Sequence, residues 1–445
     1  MEPSRALTYA EALELLEGAL TFGINPSLDG IRALVAAMGD PQSAFGVCQV
    51  TGTNGKTSVT RLLAALLSAH DLKVGAYTSP HLVSYVERIE VDGAPVTEEA
   101  FANAVGAADV AARAVLEHSA QTLGVSAESL DASFTEFELL TAAALWLYRE
   151  RRIDWAVLEV GMGGRWDATS VTTPAVAVVT GVALDHTERL GSTREAIAAD
   201  KAHVIKPGSV AVLGPGCAGV EDILFARARA VAAEAVRVGQ AEDDVTWEVL
   251  EAPSVPGGLL RLTVTGVHGR YEALEVRAPA YQAPNIATAV AAAEAALGRR
   301  LDPEAIARRL AGVRFPGRFE VIRSDPPLVI DGAHNPEAAG VLAGSIAQAF
   351  PVVRPAIVLG VLADKDAAGI VRALAPVAVR FVCAAPTSAR ALPAADLATV
   401  VAEETEVPVQ VEPTLTAALL AVSGEPAVVT GSTYTAGEAR GLLLG

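Results

Sequence analysis

The sequence is short of cysteine: only Cys48, Cys217 and Cys383 occur in 445 residues, far apart and without CxxC spacing. Neither a disulfide framework nor a zinc site is indicated, and all three read as small apolar core residues. No window reaches about 18 consecutive apolar residues, the length a membrane-spanning helix requires. Met1-Glu2-Pro3 lacks the basic start and apolar stretch of a signal peptide, so the expected location is the cytosol. Basic charge is also scarce. Against 52 Asp and Glu stand 34 Lys and Arg, a formal net charge of −18, and no run of Lys and Arg offers a local exception. Global attraction to nucleic acid or to an anionic membrane is excluded, and any bound phosphate must be held by a local device.

Apolar residues are plentiful, at 51%. With this length they suffice for two or three cores. Short β-rich runs alternate with Ala/Leu-rich helical patterns, which predicts an α/β chain with largely parallel sheets. Strands are expected at Phe45–Val50, Ile153–Val160 and Ala175–Thr180, and helices at Thr57–His70, Glu98–Glu117 and Glu136–Arg149. Between Val245 and Arg277 alternation with glycine punctuation predicts a small antiparallel element, followed by a helix over Pro284–Leu297. From Leu328 strand and helix alternate again to the end, predicting a second doubly wound domain of about five strands. The joint is placed near residue 300, giving domains 1–300 and 301–445. A monomer is expected.

The strongest motif is Thr51-Gly52-Thr53-Asn54-Gly55-Lys56-Thr57-Ser58, between an apolar strand and a helix. Successive backbone N–H groups at a helix N-terminus hold a phosphate, Lys56 adds a point charge, and the Thr57 hydroxyl can ligate Mg²⁺. The first glycine of the common GxxxxGK[ST] pattern would fall at Val50, so this is a shortened loop. A second motif, Leu158-Glu159-Val160-Gly161-Met162-Gly163-Gly164-Arg165-Trp166-Asp167, ends a strand on an acid. A strand-end Glu ordinarily caps a helix or pairs with a base. Beside a phosphate loop, however, it points into the crevice where α/β sheets bind ligands, and Mg²⁺ takes oxygen donors. His186 in Leu184-Asp185-His186 and Lys201 in Asp200-Lys201-Ala202-His203 carry little weight taken alone.

Taken together, these residues resemble folylpolyglutamate synthase/dihydrofolate synthase, the folate branch of the Mur ligase superfamily. The matching stretches are TGTNGKTS (51–58), TSPHLVSYVERI (78–89), TEFE (135–138), LEVGMGGRWDAT (158–169), LDHTERLGST (184–193), DKAHVIKPG (200–208), PGRFE (316–320), DGAHNP (331–336) and DKD (364–366). They span nearly the whole chain in the family's order. The SPHL…ERI segment favours the folate branch over the cell-wall ligases.

The resemblance implies an N-terminal P-loop ATPase domain with a mostly parallel sheet and a smaller Rossmann-like C-terminal domain. It implies an ATP-dependent ligase joining L-glutamate to dihydropteroate or a reduced folate through an acyl phosphate. Thr53, Asn54, Gly55, Lys56, Thr57 and Ser58 would hold the nucleotide phosphates, with Asn285, Arg318 and Asp331 at adenine, phosphate and ribose. One Mg²⁺ would be held by Thr57 and Glu159 with Ser79 close by, and a second by His186 and a carbamylated Lys201. CO₂ converts a lysine amine into an anionic oxygen donor suited to a hard cation. Lys56, Glu159, His186 and Lys201 would be the catalytic set.

His334 and Ser432 would lie near the incoming glutamate, and Thr135, Phe137, Glu138 and Trp166 near the pterin–benzoate acceptor. Phe137 lies on a helical apolar face and suits core packing equally, and Glu138 also reads as a solvated helix acid. Two other readings remain: a ligase acting on a UDP-muramyl precursor, and a P-loop motor ATPase. The GGR, LDH and DGAHNP stretches argue against the motor.

Overall fold

The computed structural model describes residues 7–19, 26–123 and 134–444. In the first part of the chain, helices α1 (Tyr9–Ala19) and α2 (Asp29–Ala37) precede strand β1 (Gly46–Thr51), helix α3 (Lys56–Ser68) and strands β2 (Val74–Tyr77), β3 (Ile89–Val91) and β4 (Ala94–Pro95). Helices α4 (Glu98–Leu123) and α5 (Glu136–Arg151) follow. Then come β5 (Trp155–Glu159), β6 (Val176–Gly181), α6 (Thr187–Leu190), α7 (Arg194–Lys201), β7 (Val210–Gly216), α8 (Glu221–Ala230) and β8 (Glu234–Arg237). The eight strands form one sheet in the order β4-β3-β2-β5-β1-β6-β7-β8. Pairing is parallel from β2 to β8, and β1, β5 and β6 are buried almost throughout, as continuous runs such as AVVTG require.

The predicted antiparallel element is present as β9 (Thr246–Glu251), β10 (Leu260–Thr265) and β11 (Arg270–Val276). It joins α9 (Ala283–Leu297) in covering α3, whose Leu62, Leu63, Leu66 and Leu67 are fully buried. Truncating any one of these leucines to alanine would cost about 2–5 kcal/mol. The other face of the sheet packs on α1, α2, α4 and α5.

The joint does not fall near residue 300. Helix α10 (Pro303–Leu310) buries Ile306 and Leu310 in the same core as α3, and Phe315 still belongs to it. The chain passes to the second domain in the 311–317 stretch, because α10 is amphipathic and its apolar face is needed to cover β11 and α3.

The second domain contains β12 (Glu320–Ser324), β13 (Pro327–Ile330), α11 (Pro336–Ala349), β14 (Ala356–Leu359), α12 (Ala367–Leu374) and β15 (Arg380–Cys383). It ends with α13 (Ala394–Glu404), β16 (Val409–Val411), α14 (Leu415–Ala421), β17 (Ala427–Thr430) and α15 (Thr433–Leu444). Its sheet has six strands, β12-β13-β17-β14-β15-β16, one more than expected. The extra strand, β12, is a half-buried antiparallel edge without a run of apolar residues. The three cysteines are free and buried. Among the described residues no helix is long and apolar enough to cross a membrane.

Candidate active site

Three parallel strands deliver the site. Val50 lies opposite both Glu159 and Val178, so the carboxyl ends of β1, β5 and β6 stand side by side. This edge faces the carboxyl ends of β13, β14 and β17 across a cleft of ≈ 520 Å³ lined from both domains.

Leaving β1, the chain turns through Gly52 and enters α3 at Gly55, whose φ of 84° is left-handed and suits glycine. No side chain caps α3, so its first N–H groups remain for an anion. A Cβ on Gly55 would come within 2.8 Å of Asn285 Oδ1, which places Asn285 directly over the loop. The Lys56 ammonium donates to Gly52 O at 3.0 Å and Thr53 O at 3.3 Å, bonds within its own loop. Lys201 Nζ, only 3% exposed, donates to the same Gly52 oxygen at 3.0 Å. Burial, reinforced by neighbouring Lys56, lowers the Lys201 pKa to about 7.

Thr57 Oγ1 donates to Glu159 Oε1 at 2.9 Å, and the Ser79 N–H donates to Glu159 Oε2 at 3.2 Å. Burial works to raise the Glu159 pKa and to lower that of Lys56, and each opposes the other's shift through its charge. The trio Thr57, Ser79 and Glu159 is thereby gathered at the foot of the loop.

His186 caps α6 with a φ of 51° and lines the cleft. Burial, opposed by Asp185 but reinforced by Lys365, lowers its pKa to about 4, leaving it neutral with a free lone pair. Asp185 was not singled out from the sequence, although the LDH stretch contains it. It pairs with Lys365 of the second domain at 2.8 Å and has His334 Nε2 at 3.6 Å. Burial alone would raise its pKa, but the His334 and Lys365 contacts outweigh this and hold it well below the carboxylate range. Lys365 sits in the DKD stretch, where only the match to a pattern had marked it. What brings the two together is domain packing.

The remaining expected residues divide. Arg318 leaves a Pro316-Gly317 turn, lines the cleft, and lies close enough for its charge to act on Lys56, Glu159 and Asp331. Asn54 reaches across to Glu337 and accepts from Asn335 Nδ2 at 3.3 Å. His334 lines the same cleft.

Other side chains are occupied locally. The Thr53 hydroxyl donates to Ala183 O at 3.1 Å and accepts from Ala183 N at 3.0 Å. Ser58 is buried and accepts from Gln282 Nε2 at 3.1 Å. Asp331 lines the cleft and also accepts from the N–H groups of Phe319 and Ala333, each at 2.8 Å, and so braces the turn that carries Arg318. Ser432 caps α15, accepting from Thr435 N at 2.9 Å.

Around the expected acceptor pocket, Thr135 and Glu138 form a capping box. Glu138 Oε2 accepts from both the N–H and the hydroxyl of Thr135 at 2.9 Å, so Glu138 is a buried helix cap and not a solvated acid. Phe137 is half-buried, its ring 5.9 Å from that of Tyr77 and against Gly161. Trp166 is 42% exposed and stacked by Arg165 at 4.6 Å, outside the residues lining the cleft.

The chain matches two family models in order: Mur ligase middle domain over residues 110–293, and Mur ligase, glutamate ligase domain over residues 317–432. It is 38% identical over 384 residues to dihydrofolate synthase/folylpolyglutamate synthase of Mycobacterium tuberculosis, covering 83% of this chain and 76% of that protein. The structure of Mycobacterium tuberculosis folylpolyglutamate synthase complexed with ADP and AMPPCP superposes with a TM-score of 0.88 at 34% identity, covering 98% of this chain and 99% of the other. E. coli FolC in complex with DHPP and ADP superposes with a TM-score of 0.84 at 30% identity, covering 99% and 98%. On this full-length agreement in sequence and fold, the chain belongs to the folylpolyglutamate synthase/dihydrofolate synthase family and carries the Mur ligase middle and glutamate ligase domains.

Proposed function

We propose that this cleft joins the amine of L-glutamate to the carboxylate of dihydropteroate, to the γ-carboxylate of a reduced folate, or to both, driven by ATP. The observation that carries this reading is the meeting of Lys56, Thr57 and Glu159 from one domain with Arg318 and His334 from the other in a single cleft. The relatives' structures hold ADP, AMPPCP and DHPP, which are ligands of the chemistry proposed.

The uncapped N–H groups of α3 and the Lys56 ammonium would hold the phosphates, with Arg318 closing from the second domain and Asn285 beside the base. In such a grip the γ-phosphoryl group is aligned for attack by the acceptor carboxylate, giving an acyl phosphate and ADP. The glutamate amine then attacks the activated carbonyl and phosphate leaves. Catalysis of this kind is chiefly alignment and neutralisation of charge. His334 lies near enough to Asp185 and Lys365 to help place the amino acid, while Ser432 acts through the start of α15.

The donors suit Mg²⁺. Thr57 and Glu159 bring hard oxygen atoms together, with Ser79 held beside them through its N–H, and neutral His186 with a carbamylated Lys201 would make a second site. Bound there, Mg²⁺ would neutralise charge on the phosphates and the acceptor carboxylate. A Lys201 amine with a pKa near 7 is about half neutral at pH 7, and the neutral form is the one that reacts with CO₂. Phe137 and Trp166 offer aromatic surface to the acceptor, whereas Thr135 and Glu138 serve by fixing α5. The chain acts as a monomer in this reading, since both halves of the cleft come from one copy.

The test is ADP release measured with and without glutamate across dihydropteroate, tetrahydrofolate and a UDP-muramyl precursor. Glutamate-dependent release with a pterin acceptor is expected. Release independent of glutamate, or only with the muramyl compound, would overturn the reading.

A further inference from the structure

The stretch 79–88 does more than reach Glu159. At its base the Ser79 N–H donates to Glu159 Oε2 at 3.2 Å. Its tip is stiffened by Glu87, whose carboxylate accepts from the N–H groups of Leu82 at 2.9 Å, Val83 at 3.2 Å and Ser84 at 3.3 Å. Three backbone amides on one carboxylate leave the tip little freedom. Arg88 extends the brace, donating to His81 Nδ1 at 2.9 Å and pairing with Glu136 at 3.2 Å.

This rigid tip crosses into the second domain. Leu82 packs against the core formed by β13, β14, β17, α14 and α15. Its methyl groups lie 2.9 Å from where a Cβ on Gly317 would sit, and its carbonyl lies against the backbone of Gly437 in α15. A Cβ on Gly437 would strike the Leu82 carbonyl oxygen and lie 2.8 Å from its carbonyl carbon. Glycine is a poor helix former, yet it occupies a buried position inside α15, where alanine would suit the helix better. The close approach of Leu82 supplies the reason. The seat itself is held together: Glu320 accepts from the Gly317 N–H at 2.8 Å and from Arg440 Nε of α15 at 3.1 Å.

We propose that Leu82 is a positioning residue that sets Arg318 in register with the phosphate loop, by seating between Gly317 and Gly437 when the two domains meet. Gly317 immediately precedes Arg318, so one side chain links the turn carrying the second-domain cation to the segment that bonds the metal-site acid. Leu82 is not among the residues lining the cleft and acts through Arg318 and Ser79. The proposal rests on the ligase reading above.

The test compares the full-length parent with Gly437→Ala, Leu82→Ala and Leu82→Met. In glutamate-dependent ADP release, Gly437→Ala and Leu82→Ala should lose up to about 100-fold in kcat, the scale expected for a misplacement of about 1 Å in a site that works by alignment. Acceptor KM should change little, and Leu82→Met, which keeps the volume, should retain most of the parent rate. A merely structural role would lower kcat only in step with the folded fraction seen by circular dichroism. Parent kcat in folded Gly437→Ala and Leu82→Ala, or loss only in step with unfolding, would overturn the proposal. A readout independent of turnover is small-angle scattering with AMPPCP and Mg²⁺. The parent should be compact and folded Gly437→Ala more open, whereas equal radii would overturn the proposal. A parent without glutamate-dependent turnover would instead defeat the ligase reading, and the scattering comparison would still decide the seat.

Discussion

Helices α3 and α5 both start at motifs marked out in the sequence, and they start in opposite ways. At α3 the N-cap is Gly55, which offers no side chain to the first turn, so the helix presents open N–H groups and the positive end of its dipole to the cleft. At α5 the N-cap is Thr135, which accepts from Glu138 N while Glu138 returns a bond to Thr135 N. Its Glu138 N–H is spent inside the protein. The contrast separates two motifs that look equally polar on paper: an uncapped start that faces the cleft keeps donors for an anion, and a capped one uses them for the fold. Lys56 and Thr57 belong to the first kind, since their present bonds are to loop carbonyls and to Glu159, which a nucleotide and its cation can replace.

The sharpest way to break this contrast is Lys56→Ala. If the loop is the phosphate grip, removing its point charge should lower glutamate-dependent ADP release by about 100- to 1000-fold, the scale of losing a donor aimed at developing charge. A denaturant midpoint belongs beside the turnover, because the ammonium bonds to carbonyls of the buried Gly52 and Thr53 and offsets part of the burial of Glu159, so some stability should go with it. A variant that keeps most of its turnover would place the phosphates elsewhere.

A smaller effect sharpens the role of Lys201 beneath the same loop. Its pKa near 7, lowered first by burial and then by Lys56, means that the neutral amine rises from about a tenth at pH 6 to about nine-tenths at pH 8. Carbamate formation consumes the neutral amine, so a ¹³C-bicarbonate NMR signal from a lysine carbamate should grow severalfold across this range and be absent in Lys201→Ala. The linkage to stability has the same direction. The folded pKa lies below the ordinary lysine value, so between the two the unfolded chain binds more protons and the Lys201 contribution to stability rises with pH. An NMR signal independent of Lys201 would remove the carbamate from the site.

How much of this was readable in the sequence follows from what each feature depends on. The phosphate loop and the strand-end Glu159 were legible because backbone geometry fixes them locally: a strand, a glycine turn and a helix leave few alternatives. The alternation of strand and helix gave the doubly wound second domain for the same reason. The Asp185–Lys365 pair was not legible as a contact, since 180 residues separate the partners and only the packing of two domains unites them. Asp331 and Ser432 were legible as cleft residues, since both follow strands whose carboxyl ends face it. Their second engagement, with the N–H groups of Phe319, Ala333 and Thr435, was not, because it depends on backbone turns that the sequence does not place. The joint near residue 300 failed because a Gly-Arg-Arg-Leu-Asp-Pro stretch reads as a linker, while the tertiary demand of α3 and β11 for an apolar cover draws α10 back into the first core.

The smallest effect tests the other half of the contrast. If Thr135 serves α5 as a cap, Thr135→Ala should cost about 1 kcal/mol, because the first turn loses an acceptor and Glu138 loses a donor in a buried setting. Thr135→Ser keeps the hydroxyl and should recover most of that loss, since Ser and Thr cap comparably. Denaturant midpoints of the three proteins measure this directly, with acceptor KM followed in parallel. The cap predicts that stability moves and KM stays, because the Thr135 hydroxyl is already engaged with Glu138. The converse result, a raised acceptor KM at unchanged midpoint, would mean that ligand binding breaks the box and turns its hydroxyl toward the acceptor. The start of α5 would then resemble that of α3 after all, its donors exchanged on binding and not spent on the fold.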